Sequence, residues 1–136
     1  MKKTLIVIDM QNDFIDGSLG TAEAVKIVPN VRKKIEEYRS NGDEIIFTRD
    51  THGEDYLNTP EGKKLPVVHC VKNTHGWQIA DGLDVPDAIH IDKPSFGYTH
   101  WDKFCFEKIE LAGLCTDICV VSNALILKAL FPNAEI

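Results

Sequence analysis

The chain has 136 residues, of which 43% are hydrophobic and 26% are charged. These ordinary globular proportions exclude disorder, collagen and coiled coil, and the length suits one domain with a substantial core. Fifteen basic residues against 21 acidic residues give a net charge of −6, which argues against nucleic acid as a partner.

The beginning of the chain predicts a strand followed by a helix. A β-branched apolar run at residues 4–8 is typical of a strand that is covered on both faces. A helix should follow and end near residues 41–42, because apolar side chains recur at spacings of three and four. These side chains are Val28, Val31, Ile35 and Tyr38.

The middle of the chain predicts two more strands around a long excursion. Residues 44–48 favour a second strand and residues 88–91 a third. Between them, residues 49–75 are rich in Gly, Pro, Asn and Thr and show no clear period. An excursion of this length is usually either functional or disordered.

The last third predicts helix, strand and helix. Thr99 is expected to cap a helix through Lys108, with Trp101, Phe104 and Cys105 facing inward.

A fourth strand at residues 109–114 should lead into a last helix at 117–130, capped by Thr116. This alternation of strands and helices predicts an α/β fold with a mostly parallel sheet.

Reactive side chains follow each predicted strand. Asp9 comes after the first strand, Asp50 and His52 after the second, Lys93 after the third and Cys119 after the fourth. Because ligands of such sheets bind outside the carboxyl ends of the strands, these side chains are expected to meet at one rim.

Cys119 is the candidate nucleophile at this rim. With Thr116 as the cap, it lies in the first helical turn, where the helix dipole favours a thiolate and backbone N–H groups can hold an oxyanion. Asp9 would take the thiol proton, and Lys93 would stabilise the resulting charge.

Other interpretations of these residues remain open. Cys119 and Cys115 also suit small core residues or a redox pair, and Cys70 and Cys105 suit packing roles. Asp9 alone suits a turn or cap, and Lys93 alone suits a surface lysine.

The excursion also carries a candidate metal site. Its possible ligands are Asp50, His52, Glu61 and His69. Mixed oxygen and nitrogen ligands suit Zn, Fe or Mn. The alternative is that the two histidines satisfy buried loop hydrogen bonds and that Glu61 is solvated.

Taken together, the motifs resemble the isochorismatase-like cysteine hydrolases, and within them the nicotinamidase-like branch. The resemblance runs from about residue 4 to about residue 130. Its most specific segments are Asp9-Met10-Gln11-Asn12-Asp13-Phe14, Arg49-Asp50-Thr51-His52, Pro66-Val67-Val68-His69-Cys70, Asp92-Lys93 and Gly113-Leu114-Cys115-Thr116-Asp117-Ile118-Cys119-Val120.

The resemblance implies a Rossmann-like three-layer fold and a catalytic triad of Asp9, Lys93 and Cys119. It also implies a cis peptide bond between Leu114 and Cys115, and an oxyanion hole made by the backbone N–H groups of Cys115 and Cys119. Amide hydrolysis would then proceed through a thioester.

The resemblance further implies a divalent metal, for which we expect Zn, with Fe or Mn as alternatives, held by Asp50, His52, Glu61 and His69. Phe14 and Phe96 would line the substrate pocket. Nicotinamidases often carry an aromatic residue shortly before the second histidine, whereas residues 64–68 contain none. Trp77 is the nearby candidate to replace it.

Three functions follow as alternatives: hydrolysis of nicotinamide, hydrolysis of another small amide or carbamoyl compound, and a catalytically idle chain. Residues 1–136 are expected to form one isochorismatase-like hydrolase domain, without the last strand and helix of the family. We expect a cytoplasmic protein with a small-molecule substrate and no nucleic acid or membrane partner. The open sheet edge would favour a homo-oligomer.

Overall fold

A computed structural model describes residues 1–136, apart from the side chain of Asp117. Four parallel strands form one sheet in the order β3-β2-β1-β4. Their bounds are β1 Lys3–Ile8, β2 Glu44–Asp50, β3 Ile89–Lys93 and β4 Lys108–Gly113. The predicted α/β fold with a parallel sheet is therefore confirmed.

Helices connect these strands. The α-helices are α1 Asn12–Ile15, α2 Ala22–Ser40, α3 Pro60–Lys64 and α4 Val121–Leu130. A π turn, Thr116–Val120, leads directly into α4, and short 3₁₀ turns cover Tyr56–Asn58, His75–Trp77 and Trp101–Lys103. Within the described part of the chain, no helix is both long enough and apolar enough to cross a membrane.

The sheet is packed on both faces, which gives three layers. Successive side chains of a strand point to opposite faces. Leu5 and Val7 of β1 accordingly pack in one core with Ile35 of α2, whereas Ile6 and Ile8 pack in another with Leu127 of α4. All four strand residues are fully buried, which explains why residues 5–8 of β1 form an uninterrupted apolar run.

The register brings the carboxyl ends of β1, β2 and β3 together. Ile8 pairs with Thr48, and Asp50 pairs with Lys93. The residue after β1, Asp9, donates its backbone N–H to the Thr48 carbonyl at 3.2 Å. The predicted convergence at one rim is thus built into the strand pairing.

The helix predicted from Thr99 to Lys108 is wrong. The segment forms only a 3₁₀ turn, and Cys105 is exposed. Trp101 is fully buried and contacts aromatic rings from several directions. The spacing of the aromatic side chains therefore reflects a packed cluster rather than one face of a helix, and Lys108 already belongs to β4.

The predicted start of the last helix also differs by one residue. The helix begins at Thr116, and Cys115 holds the capping position without a side-chain hydrogen bond. The Cys115 carbonyl accepts from Ile118 at 3.2 Å and from Val120 at 3.0 Å, which widens this turn. Cys119 is therefore the fourth residue of the helix.

Candidate functional site

Asp9 and Lys93 form a fully buried ion pair at the carboxyl edge of the sheet. The Lys93 Nζ atom lies 2.7 Å from Asp9 Oδ2, and both side chains are 0% exposed. Lys93 also donates to the Ser95 carbonyl at 3.2 Å. Two charges without access to water are rarely retained for stability alone, so this pair marks a site.

Thr48 holds the Asp9 carboxylate from its other side. The Thr48 hydroxyl donates to Asp9 Oδ1 at 2.7 Å and accepts the Asp9 backbone N–H at 3.2 Å. Asp9 has a φ of 51°, a left-handed conformation that non-glycine residues seldom adopt. Its conformation turns the chain away from β2 directly after β1 and leaves the carboxylate facing Lys93.

Cys119 completes the buried cluster from the helix side. Its side chain is 6% exposed, and its thiol interacts electrostatically with the Asp9 carboxylate and the Lys93 ammonium. The Asn123 side chain, one helical turn later, donates to the Cys119 carbonyl at 2.7 Å and to the Phe96 carbonyl at 3.0 Å. Asn123 therefore ties the helix of the thiol to the loop that follows Lys93.

The electrostatics of this cluster favour general-base chemistry over a resting thiolate. Burial raises the pKa of the Cys119 thiol well above its usual value, and the nearby Asp9 carboxylate raises it further. Burial also raises the pKa of Asp9 above 3.8, against the opposing effect of Lys93. The helix start alone therefore does not supply the expected thiolate, and an adjacent base is needed to remove the proton.

Lys93 stays charged in this setting. Burial disfavours its ammonium form, but the charges of Asp9, Cys119 and Asp50 outweigh it and raise the pKa of Lys93 above 10.5. Its Nζ atom lies 3.9 Å from Asp50 Oδ1. Lys93 is thus a fixed positive charge between Asp9 and Asp50, which belongs to a neighbouring cluster.

This second cluster consists of the four predicted metal ligands. One ligand atom from each of Asp50, His52, Glu61 and His69 lies within 4.8 Å of all the others. His52 Nε2 lies 3.0 Å from Asp50 Oδ2 and 3.3 Å from Glu61 Oε2, and His69 Nε2 lies 3.6 Å from Asp50 Oδ2.

The donor set fits a divalent metal on its own geometry. The Asp50 carboxylate is buried, yet its Oδ1 atom has no hydrogen-bond partner among the described residues. The Nδ1 atom of His69 lies 2.7 Å from the Val67 carbonyl, and this bond leaves Nε2 as the ligand atom. Two imidazoles and two carboxylates are ligands that Zn²⁺ accepts.

Tyr56 is a residue of this site that the sequence analysis missed. Its ring is fully buried and lies 4.6 Å from the His52 ring and 4.9 Å from the His69 ring. It therefore packs the two imidazoles against each other. A lone aromatic residue in a polar excursion is the only signal by which the sequence hints at this role.

One cavity of about 430 Å³ joins the two clusters. Cys119 and Cys115 line it on one side, and Asp50, Glu61 and His69 line it on the other. Its remaining walls are apolar and consist of Phe14, Leu19, Leu65, Phe96 and Ile118. The predicted Phe14 and Phe96 thus lie at the cavity, whereas Leu19, Leu65 and Ile118 were not predicted as pocket residues.

Trp77 does not line this cavity, contrary to expectation. It packs behind Phe14 and Cys70, donates its indole N–H to the Thr51 hydroxyl at 2.9 Å, and lies under the Arg49 guanidinium at 4.1 Å. It faces a separate polar cavity with Arg49. The contacts of the Trp77 side chain therefore lie behind Phe14, outside the cavity that Cys119 lines.

The nucleophile segment has the backbone that the resemblance implies. The peptide bond between Leu114 and Cys115 is cis. The four cysteines form no disulfide among the described residues.

Comparison with known proteins supports the family that the motifs resemble. The isochorismatase domain family matches residues 3–130. A nicotinamidase of Saccharomyces cerevisiae is 32% identical over 108 residues, which cover 60% of this chain and 50% of that protein.

Solved structures are similar over nearly the whole chain. A pyrazinamidase of Pyrococcus horikoshii in complex with zinc superposes with a TM-score of 0.82 and 30% identity, covering 96% of this chain and 80% of that one. An N-carbamoylsarcosine amidase of Thermoplasma acidophilum superposes with a TM-score of 0.80 and 28% identity, covering 98% and 79%.

Proposed function

The chain belongs to the isochorismatase family, and from that premise we propose that it is a metal-containing cysteine amidohydrolase that converts nicotinamide to nicotinate and ammonia. One observation carries the proposal: Cys119, beside the buried Asp9–Lys93 pair, lines the same cavity as Asp50, Glu61 and His69 of the metal cluster. The nicotinamidase and pyrazinamidase relatives support an aromatic ring carboxamide as substrate.

The proposed reaction begins with proton transfer from Cys119 to Asp9. The S–H bond breaks, its electron pair stays on sulfur, and the proton binds the Asp9 carboxylate. The raised pKa of Asp9 makes it a better proton acceptor than an ordinary aspartate. Lys93, whose charge is fixed, stabilises the thiolate.

The thiolate then attacks the carboxamide carbon and forms a C–S bond, which moves an electron pair onto the carbonyl oxygen. We assign the backbone N–H groups of Cys115 and Cys119 to hold this oxyanion. Asp9 returns its proton to the amide nitrogen, the C–N bond breaks, and ammonia leaves. A thioester on Cys119 remains.

Hydrolysis of the thioester uses the same base. Asp9 takes a proton from water, the hydroxide attacks the thioester carbon, and the C–S bond breaks. The carboxylic acid leaves, and the proton on Asp9 restores the Cys119 thiol. Asp9 thus acts as base and acid in turn, which a carboxylate of raised pKa at a dry site can do.

Asp50, His52, Glu61 and His69 would hold the metal. When bound, a Zn²⁺ ion supplies a Lewis-acid contact for the ring nitrogen of the substrate and so orients the ring. Phe14 packs against this ligand set, with its ring 5.5 Å from that of His69. The apolar walls of the cavity exclude water from the flat faces of the ring.

A second candidate substrate is a small linear amide such as a carbamoyl compound. The observation that favours it is that the excursion contributes only the aliphatic Leu65 to the apolar wall of the cavity, next to the aliphatic Leu19. The similarity to an N-carbamoylsarcosine amidase supports the same alternative.

Ammonia release tests these proposals. Purified protein is incubated with nicotinamide, pyrazinamide or N-carbamoylsarcosine, and metal is measured on the same sample, with Cys119→Ala as control. We expect the wild type alone to release ammonia from the two ring amides. Release from N-carbamoylsarcosine only would transfer the assignment to the second candidate. If none of the three compounds yields ammonia although metal is bound, the amidase proposal is refuted for these substrate classes.

A further inference from the structure

The segment Gln11-Asn12-Asp13 lies between the base Asp9 and the pocket residue Phe14, yet the proposed reaction uses none of its side chains. All three side chains bond to backbone atoms of the excursion that carries the metal ligands. The bonds of Gln11 and Asp13 reach the backbone at or next to a metal ligand, whereas the bond of Asn12 does not. This difference within one tripeptide is the basis of the inference.

Gln11 holds the backbone of Asp50. Its side-chain carbonyl accepts the Asp50 N–H at 2.8 Å, and its amide donates to the Asp50 carbonyl at 2.9 Å and to the Trp77 carbonyl at 2.8 Å. Gln11 is fully buried, so no water is available to replace these bonds.

The need for such a side chain follows from the sheet. The ladder between β1 and β2 ends at Ile8 and Thr48, because the left-handed Asp9 turns the chain away. Asp50, two residues beyond Thr48, then lacks a strand partner on that side. The Gln11 amide takes the place of the missing peptide group, which fixes the first ligand against the end of β1.

Asp13 holds the backbone beside His69. Its Oδ2 atom accepts the Cys70 N–H at 2.8 Å, and Cys70 has a left-handed φ of 49°. The Cys70 carbonyl in turn accepts the His52 N–H at 2.9 Å. A Cβ atom on Gly76 would collide with the Asp13 carboxylate, so the carboxylate is enclosed. Asp13 thereby constrains two ligand-bearing stretches.

We propose that Gln11 and Asp13 are positioning residues that set the affinity of the Asp50, His52, Glu61 and His69 cluster for a divalent cation. The inference rests on the metal site of the proposed function. Ligand atoms must be held within a few tenths of an ångström for tight binding. The excursion has little regular structure of its own, so the buried bonds of Gln11 and the partly buried bond of Asp13 replace the rigidity that strands give to the triad.

Asn12 supplies a matched control. It makes the same kind of bond, from its side-chain amide to the His75 carbonyl at 2.8 Å. His75 belongs to the same excursion but not to the ligand cluster. Loss of the Asn12 bond should therefore leave cation affinity unchanged.

The test is Zn²⁺ affinity, measured by competition with a chelator on metal-free protein. We expect Gln11→Met and Asp13→Ala to weaken binding by about tenfold to a hundredfold, and Asn12→Ala to bind as the wild type does. Asp13→Asn keeps an acceptor oxygen for the Cys70 N–H and should recover most of the affinity. Circular dichroism and unfolding of the metal-free proteins check that each variant folds. If Gln11→Met does not fold, Gln11→Asn, whose amide is shorter by one methylene, is used in its place.

Two results would overturn the inference. Wild-type affinity in the Gln11 and Asp13 variants would show that the bonds of these two side chains do not affect cation binding. An equal loss in Asn12→Ala would show a general effect of the tripeptide rather than ligand positioning. A wild type that binds no Zn²⁺ would instead refute the metal site itself, whereas ammonia release reports separately on the proposed reaction.

Discussion

The triad and the metal cluster are adjacent, but the chain builds them in different ways. Asp9 directly follows a strand, Lys93 ends one, and Cys119 lies in a helical turn after a third. His52, Glu61 and His69 belong to an excursion with only short helical pieces. The sheet ladder orients the first set directly, whereas the second set depends on side chains such as Gln11, Asp13 and Tyr56.

The two sets also treat charge differently. In the triad, burial raises the pKa of both Asp9 and Cys119. In the metal cluster, burial acts in the same direction on Asp50, but its bonds to His52 and His69 hold the pKa of that carboxyl well below 3.8. One carboxylate is therefore prepared to accept a proton, and the other is kept ionised as a ligand.

The largest effect should come from Cys119→Ala. Without the sulfur no thioester forms, so ammonia release should fall by roughly 10⁴-fold or more, while Zn²⁺ content stays at the wild-type level. Cys105→Ala, at an exposed thiol far less constrained, is the control and should keep full activity. Turnover by Cys119→Ala close to that of the wild type would remove the nucleophile assignment.

The buried pair should dominate stability. Lys93→Met leaves the Asp9 carboxylate buried without its partner, which should lower the free energy of unfolding by about 3–5 kcal/mol. Lys34→Met breaks a half-exposed pair with Glu110 at 3.0 Å and should cost about 1 kcal/mol or less. Chemical denaturation measures both. Equal losses would mean that water reaches the Asp9–Lys93 pair.

The metal cluster should respond separately from the triad. His52→Ala removes a ligand and should lower Zn²⁺ affinity by roughly a hundredfold or more, since even loss of an outer contact costs tenfold to a hundredfold. His100→Ala, at an exposed histidine outside the cluster, should bind normally. Unchanged metal content in His52→Ala, by elemental analysis, would contradict its role as ligand.

The same contrast explains what the sequence could predict. Apolar runs such as residues 4–8 and the reactive side chains after them follow from local pattern, because a parallel sheet places its carboxyl ends together. Trp77 was expected in the pocket because it is near in sequence to the metal ligands. Its position depends on bonds to Thr51 and packing behind Phe14, which are contacts across the chain that no local pattern encodes.

Charge states show the same limit. The helix start at Cys119 suggested a thiolate, but burial decides the protonation state, and burial of one side chain depends on the whole packed site. Thr48 could be placed on the second strand, whereas its hydrogen bond to Asp9 depends on the left-handed turn after β1. Tertiary context therefore determines the chemistry of groups whose identity the sequence predicts.

The smallest effect should come from a charge cluster away from both sets. Partial burial raises the pKa of the Glu110 carboxyl. Hydrogen bonds from Lys34 and Tyr38, each 3.0 Å long, outweigh burial and hold this pKa below 4.5. A carboxyl whose pKa is lowered in the folded state stabilises the protein at pH values above its ordinary pKa, and this stabilisation is lost as the pH falls through the lowered pKa. Because the cluster is half-exposed, this contribution should be about 1 kcal/mol or less.

Glu110→Gln should therefore be less stable than the wild type near neutral pH, and the difference should shrink as the pH falls from about 6 to about 3. Denaturation curves across this range measure it, and ammonia release should not change, because Glu110 contacts neither the triad nor the metal ligands. A difference that stays constant with pH would assign the effect to packing around Tyr38 instead of charge. Reduced ammonia release in this variant would show that the Glu110 cluster is coupled to the catalytic site, which would contradict its placement away from both sets.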